Sequence, residues 1–172
     1  MDFEEKTVKE NTIFHGKIIN LRKDAVLLPD GKQGEREIVE HGGGSAVVCE
    51  KDGKILMVRQ FRYAYKENLW EIPAGKREKG EDPKITAFRE LEEEGGVRAK
   101  EMELMFTVYP SPGYSSEIIR IYRAHGIEEG NVHLDEDEFL SARWMDKSQL
   151  KTMIEDGTIK DAKTLIALLA VL

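Results

Sequence analysis

Disulfides are excluded first. The chain has one cysteine, Cys49, inside the apolar run Ala46-Val47-Val48-Cys49, and a lone thiol cannot close an internal bridge. A buried, unreactive thiol is the expectation there. No apolar run approaches the roughly 18 residues that a membrane helix needs. The start, Met1-Asp2-Phe3-Glu4-Glu5, lacks the basic and apolar regions of a secretory leader, so a cytoplasmic protein is expected. Positive charge is scarce as well. Lys and Arg number 26 against 33 Asp and Glu, a net charge of −7, and no basic stripe is present to neutralise a phosphate backbone. That argues against nonspecific nucleic-acid binding. Internal repeats, low-complexity tracts and an evident serine or cysteine nucleophile are missing too.

What is present reads as one good core with a small appendage, within the 172 residues available. Residues 1–42 carry strand patterns over 6–13, 17–28 and 35–40, broken by His15-Gly16 and by the turn-forming run from Pro29 to Gly34. An arm this small must pack on something else. Gly42-Gly43-Gly44 is a natural junction, and 43–172 forms the main domain. Its pattern predicts strands over 46–50 and 55–60 around the turn Lys51-Asp52-Gly53-Lys54, then strands near 69–72, 102–109, 117–125 and 141–145. Helices over 147–155 and 162–172 close the chain.

The densest chemistry lies between Gly75 and Val97, where acidic side chains crowd one loop and one helix. Asp82 suits an N-cap, Pro83 the first helical position and Gly95-Gly96 a stop. At about 100° per residue, Ile85, Phe88 and Leu91 share one side of that helix, and Glu90, Glu93 and Glu94 share an arc of roughly 100° on the other. Glu90 and Glu94 stand one turn apart and can reach a common cation. Carboxylates are hard ligands suited to Mg²⁺ or Mn²⁺. Glu92-Glu93-Glu94 in the last turn opposes the helix dipole, a cost that bound cations compensate. The loop from Ala74 to Gly80 can bring backbone carbonyls to the same place, and Arg89 can pair with Glu81 to hold the loop on the helix. The plainer reading is a solvated acidic helix face.

Gly75, five residues, Glu81, seven residues, then Arg89-Glu90-Leu91-x-Glu93-Glu94-x-Gly96-Val97 resembles the Nudix box at every specified position. The resemblance implies an α/β (α+β) Nudix fold, a mixed β-sheet between helices, here with an N-terminal antiparallel β arm. It implies a metal-dependent hydrolase of nucleoside diphosphates linked to another group. Carried over to this sequence, Glu90 and Glu94 are the implied metal ligands, with Glu93 beside them in metal and catalytic roles. The Ala74 carbonyl is a further ligand, and Gly75, Glu81 and Arg89 are structural. About two or three Mg²⁺ or Mn²⁺ ions would occupy such a site.

The flanks are similar to the ADP-ribose pyrophosphatase branch: Arg59-Gln60-Phe61-Arg62-Tyr63, Ser111-Pro112-Gly113 followed by Glu117, Asp135-Glu136-Asp137-Glu138, and Asp161-Ala162-Lys163-Thr164. By that resemblance Arg62 contacts the phosphates or terminal ribose, and Glu117 contacts the ribose or assists with metal. The arm exchanges across a homodimer, bringing Arg36 to the partner's adenine pocket. Trp70 and Tyr63 are stacking candidates, though core packing serves Trp70 equally well. By the same resemblance Glu136 or Glu138 is the general base, the plainer reading of that run being a solvated acidic loop; the sequence does not separate the two glutamates, and His133 nearby reads as an exposed loop residue. The expected reaction is hydrolysis of ADP-ribose to AMP and ribose 5-phosphate. The alternatives are hydrolysis of other nucleotide sugars and a catalytically silent nucleotide-sensing module.

Overall fold

The computed structural model describes residues 3–134 and 138–172. They divide into two units, one built from the chain up to Gly43 with Tyr109–Ile118, the other from Gly44–Val108 with Ile119–Leu172.

In the first unit, β1 (Lys6–Lys9), β2 (Thr12–His15), β3 (Ile19–Leu27) and β4 (Gln33–His41) form one antiparallel sheet. β4 pairs along the whole of β3, so β1 and β2 share the other edge. The sequence predicts one strand over 6–13, whereas the ladder breaks at Glu10-Asn11. There the side chain of Asp24, 1% exposed, accepts the Asn11 N–H at 3.1 Å, and Lys23 N donates to the Asn11 carbonyl at 2.8 Å. A buried carboxylate thus takes the place of a strand partner. The segment Tyr109–Ile118 is tied to β4: Val39 N donates to Tyr114 O at 2.8 Å and Ser116 N to Val39 O at 3.0 Å.

The second unit opens with a hairpin, β5 (Gly44–Lys51) and β6 (Lys54–Arg62). Its turn residues Asp52 and Gly53 both have positive φ, 52° and 74°, the geometry that joins two twisted strands. Then follow β7 (Glu67–Glu71), β8 (Ala74–Lys76), α1 (Pro83–Gly95), β9 (Val97–Arg98), β10 (Glu101–Val108), β11 (Ile119–His125), β12 (Glu128–Glu129), β13 (Leu140–Asp146), α2 (Lys147–Glu155) and α3 (Ala162–Leu169). The main sheet runs β10-β11-β5-β6-β13, with β7 on β6 and β8 on β5. β11 and β5 are parallel and the other pairs antiparallel, which makes the sheet mixed. Because successive strand residues face opposite sides, β5 feeds two cores. Ala46 and Val48 pack with Leu150, Ala167 and Leu168 of α2 and α3, while Val47 and Cys49 pack with Ala87 and Leu91 of α1. The sheet is therefore sandwiched between helices.

α1 starts and stops where expected. Asp82 accepts the Lys84 N–H at 2.7 Å, Pro83 takes the first position, and Gly96 closes the helix with φ +64°. Its orientation differs from the projection. Ile85 is 56% exposed, and the buried residues are Thr86, Ala87, Glu90, Leu91 and Glu94. The sheet thus receives an arc of roughly 140° in which two carboxylates lie beside the apolar stripe.

Candidate functional site

β8 and α1 bring the box residues together. β8 pairs with β5 from Gly44↔Lys76 to Ala46↔Ala74, which fixes the start of the loop. A Cβ at Gly75 would land on the Glu90 carboxylate, so only glycine allows that carboxylate to lie against the backbone. The far end of the loop is closed by Glu81. It accepts Arg89 Nε at 3.2 Å, the Glu78 N–H at 3.0 Å and Thr86 Oγ1 at 2.8 Å. Burial alone would raise Glu81, but these donors, Arg89 foremost, bring it down to about 2. The Arg89 guanidinium also reaches Glu90 Oε1 at 2.8 Å, Glu93 Oε2 at 2.7 Å and the Lys76 carbonyl at 3.2 Å. It links the loop, the helix and two glutamates of the acidic arc.

Glu90 and Glu94 are 8% and 2% exposed. Burial pushes Glu90 up to about 7 against the opposing Arg89 charge, with Glu93 and Glu138 adding repulsion. Burial likewise pushes Glu94 up to about 8. The Ala74 N–H, donating to Glu94 Oε2 at 2.8 Å, opposes that rise, and Glu90 and Glu138 reinforce it. Glu138 is itself hydrogen-bonded by Gln60 Nε2 at 3.3 Å. Among the described residues no three His, Cys, Asp or Glu side chains form a ready-made cation site. What fits a divalent cation is the donor chemistry: hard oxygens, taken out of water one helical turn apart, repelling each other and a third carboxylate.

The other residues singled out by the sequence have partners of their own. Arg62 closes β6 and gives its fork to Glu71, Nε to Oε1 at 2.7 Å and Nη2 to Oε2 at 2.8 Å. Arg36 belongs to the first unit, on β4, where it pairs with Glu5 and the Glu35 carbonyl. Glu117 is also in the first unit, with its carboxylate 3.3 Å from His41 Nδ1. Trp70 carries the Arg59 guanidinium 5.9 Å from its ring centre, and Tyr63, 77% exposed, carries Lys66. His133 is exposed and donates its backbone N–H to Glu93 O at 3.1 Å. Glu136 lies outside the described residues. Sequence reasoning missed Glu71 altogether. It is 2% exposed and is held by Arg62 and Lys163, and nothing local marks a partner 92 residues away.

Comparison with known proteins agrees with this architecture. The family model described as NUDIX domain matches residues 40–168, and that of the nucleoside diphosphate sugar hydrolase N-terminal domain matches 5–39. A protein of Bacillus methanolicus named methanol dehydrogenase activator is 45% identical over 96% of this chain and 91% of its own length. An ADP-ribose pyrophosphatase of Bacillus subtilis (strain 168) is 44% identical over the same shares. In three dimensions the chain matches an ADP compounds hydrolase at a TM-score of 0.86 and 19% identity, covering 99% of this chain and 94% of that one, a shared fold.

Proposed function

The chain belongs to the Nudix family of hydrolases, and from that premise we propose that it hydrolyses the pyrophosphate linkage of ADP-ribose, giving AMP and ribose 5-phosphate. The observation that carries the hydrolase chemistry is the buried pair Glu90 and Glu94, one helical turn apart on α1, with Glu90 against the Gly75 backbone and Glu94 accepting the Ala74 N–H; the 44% identical relative supports the choice of ADP-ribose. Nudix hydrolases use divalent ions. Glu90 and Glu94, with Glu93 and the Ala74 carbonyl, would hold Mg²⁺ or Mn²⁺, about two or three ions. When bound, such ions neutralise phosphate charge and lower the pKa of water.

The chain's own groups do the rest. Arg89 and Glu81 hold the loop on α1, so that the Gly75 backbone and the Glu90 carboxylate stay in contact. Ala74 N–H fixes one oxygen of Glu94. Glu138, or Glu136 two residues before it in the sequence, takes the proton of the attacking water, and in-line attack on one phosphorus expels the other phosphate. Arg62, Arg36 and Glu117 are the assigned substrate contacts. Arg36 works from a homodimer in which the arm is exchanged. Exposed Val8, Ile13, Phe14 and Ile18 in that arm give a partner something to cover. Light scattering that found a monomer would detach Arg36 from the site. The cytoplasm is the compartment this reading assigns.

The test is a Mg²⁺-dependent turnover panel of ADP-ribose, ADP-glucose, a diadenosine polyphosphate and a nucleoside triphosphate, analysed by product. AMP released mainly from ADP-ribose supports the substrate. Comparable turnover of ADP-glucose moves the reading to nucleotide sugars in general, and no turnover at all removes it. A second reading, action on methanol dehydrogenase, is favoured by the 45% identical relative named for it. It predicts that adding this protein raises that dehydrogenase's rate, and it fails if the rate is unchanged.

A further inference from the structure

The run Asp161-Ala162-Lys163-Thr164 stands out in the sequence, and the reading above leaves it without a task. We propose that the first turn of α3 positions Glu94 for its cation, with Asp161, Lys163 and Thr164 acting through the short connection from Glu71 to Ala74. The proposal rests on the reading that Glu94 holds metal.

β7 ends at Glu71 and β8 begins at Ala74, so Ile72 lies between the two strands. It is fully buried, and an unpaired N–H there would be costly. Its N–H donates to Thr164 Oγ1 at 3.0 Å. The hydroxyl proton in turn goes to Asp161 Oδ2 at 2.6 Å, and the same oxygen accepts the Thr164 N–H and the Lys163 ammonium, each at 3.0 Å. Lys163 also bonds Glu71, the residue before Ile72, whose carboxylate holds the Arg62 fork. The connection is therefore gripped at the backbone by Thr164 and at the side chain by Lys163.

Little slack remains on the other side. Pro73 has a fixed φ, and its carbonyl accepts Val47 N at 2.8 Å. The next N–H, that of Ala74, is the one that donates to Glu94 Oε2. Where α3 holds Ile72 thus decides where the Ala74 N–H points. An ordinary helix cap accounts for Asp161 accepting the Thr164 N–H. It does not account for a hydroxyl that accepts from another segment, nor for Lys163 reaching Glu71.

The experiment is Mn²⁺ binding to the substrate-free protein, read from the electron paramagnetic resonance of the free ion. Thr164→Val, checked for folding by circular dichroism, is expected to weaken Mn²⁺ binding by roughly tenfold, and Thr164→Ser to restore it to within about twofold. If Thr164→Val does not fold, Asp161→Asn carries the same test, because it keeps a capping oxygen and loses the charge that holds Lys163. Wild-type Mn²⁺ affinity in the folded variant overturns the proposal. Glu94→Gln, measured alongside, separates the two ideas. If it also binds Mn²⁺ as wild type does, the assignment of Glu94 fails and takes the proposal with it. If it loses the ion while Thr164→Val keeps it, only the positioning role fails.

Discussion

Two carboxylates of the second unit, equally removed from water, sit at opposite ends of the titration range. Glu71 and Glu94 are each 2% exposed, yet Glu71 stands at about 2 and Glu94 at about 8. Burial pushes both upward, so burial does not distinguish them. Glu71 receives the Arg62 fork and the Lys163 ammonium, and those cations outweigh the loss of water. Glu94 has one backbone N–H and the Arg62 charge on its side, against burial and the charges of Glu90 and Glu138. The first carboxylate has its counter-charge supplied by the chain. The second lacks a full counter-charge from the chain, which in the proposed reading an ion supplies, and hydrogen bonds run from α3's first turn to the connection that carries the Ala74 N–H.

The sharpest way to break this contrast is Glu94→Gln. Removing a carboxylate that repels its neighbours should leave the metal-free fold as stable as before. Mg²⁺-dependent turnover should fall by more than about a hundredfold, above what groups that only support a ligand cost. Turnover within about tenfold of wild type would remove Glu94 from the site. Gly75→Ala comes next. The new Cβ takes the place of the Glu90 carboxylate, so turnover should fall by about 10- to 100-fold. Gly80→Ala, whose Cβ meets nothing within 4 Å but sits on a backbone at φ +81° that strains any side chain, tests whether strain in the loop backbone alone costs as much. Equal losses in the two variants would mean that the loop backbone, not the close approach at Gly75, is responsible.

The other arm of the contrast is probed by Glu71→Gln, which leaves Lys163 and Arg62 without their shared counter-charge. The cost should be about 3 kcal/mol, at the low end for a broken buried pair because Arg62 keeps contact with water. For a chain of this size that lowers Tm by about 6–12 °C. The sign of the pH dependence follows from a folded value of about 2, below the 4.5 of a free glutamate. Glu71 binds fewer protons folded than unfolded, so its stabilisation is fully present above pH 4.5 and is lost as pH falls through about 2. The stability gap between wild type and Glu71→Gln, followed by thermal melts from pH 6 downward, should narrow over that window. A gap that stayed constant would mean that Glu71 does not contribute as a charge.

Much of the box was legible because its signals are local. Asp82, Pro83 and Gly96 act within one turn of where they stand, and Gly75, Arg89 and the glutamates sit at fixed spacing on one loop and one helix. The rest depends on residues far apart in the chain. Helical projection gives the relation between Ile85 and Glu94 but not which arc meets the sheet, so Ile85 was expected to share the apolar side with Leu91 and lies exposed. β8 is three residues long and exists because β5 offers it a partner. The break at Glu10-Asn11 is made by Asp24, 13 residues on from Asn11, and the grip on Ile72 comes from Thr164, 92 residues on.

The smallest expected effect tests whether burial, rather than the mere presence of an ion pair, separates these regions. Lys160 lies three residues before Lys163 and bonds both oxygens of Glu67, at 2.7 and 3.0 Å. Both side chains are open to solvent, 55% and 47% exposed, against 10% and 3% for the side chains of Lys163 and Glu71. Water already solvates Lys160 and Glu67, so their pairing replaces hydration rather than compensating for its loss, and salt screens what remains. Lys160→Ala should therefore cost less than about 0.5 kcal/mol and leave turnover and Mn²⁺ affinity unchanged. Lys163→Met should lower Tm by several degrees and weaken Mn²⁺ binding. Equal effects of the two substitutions on Tm would mean that α3 is held by its overall charge and not by the buried bond to Glu71.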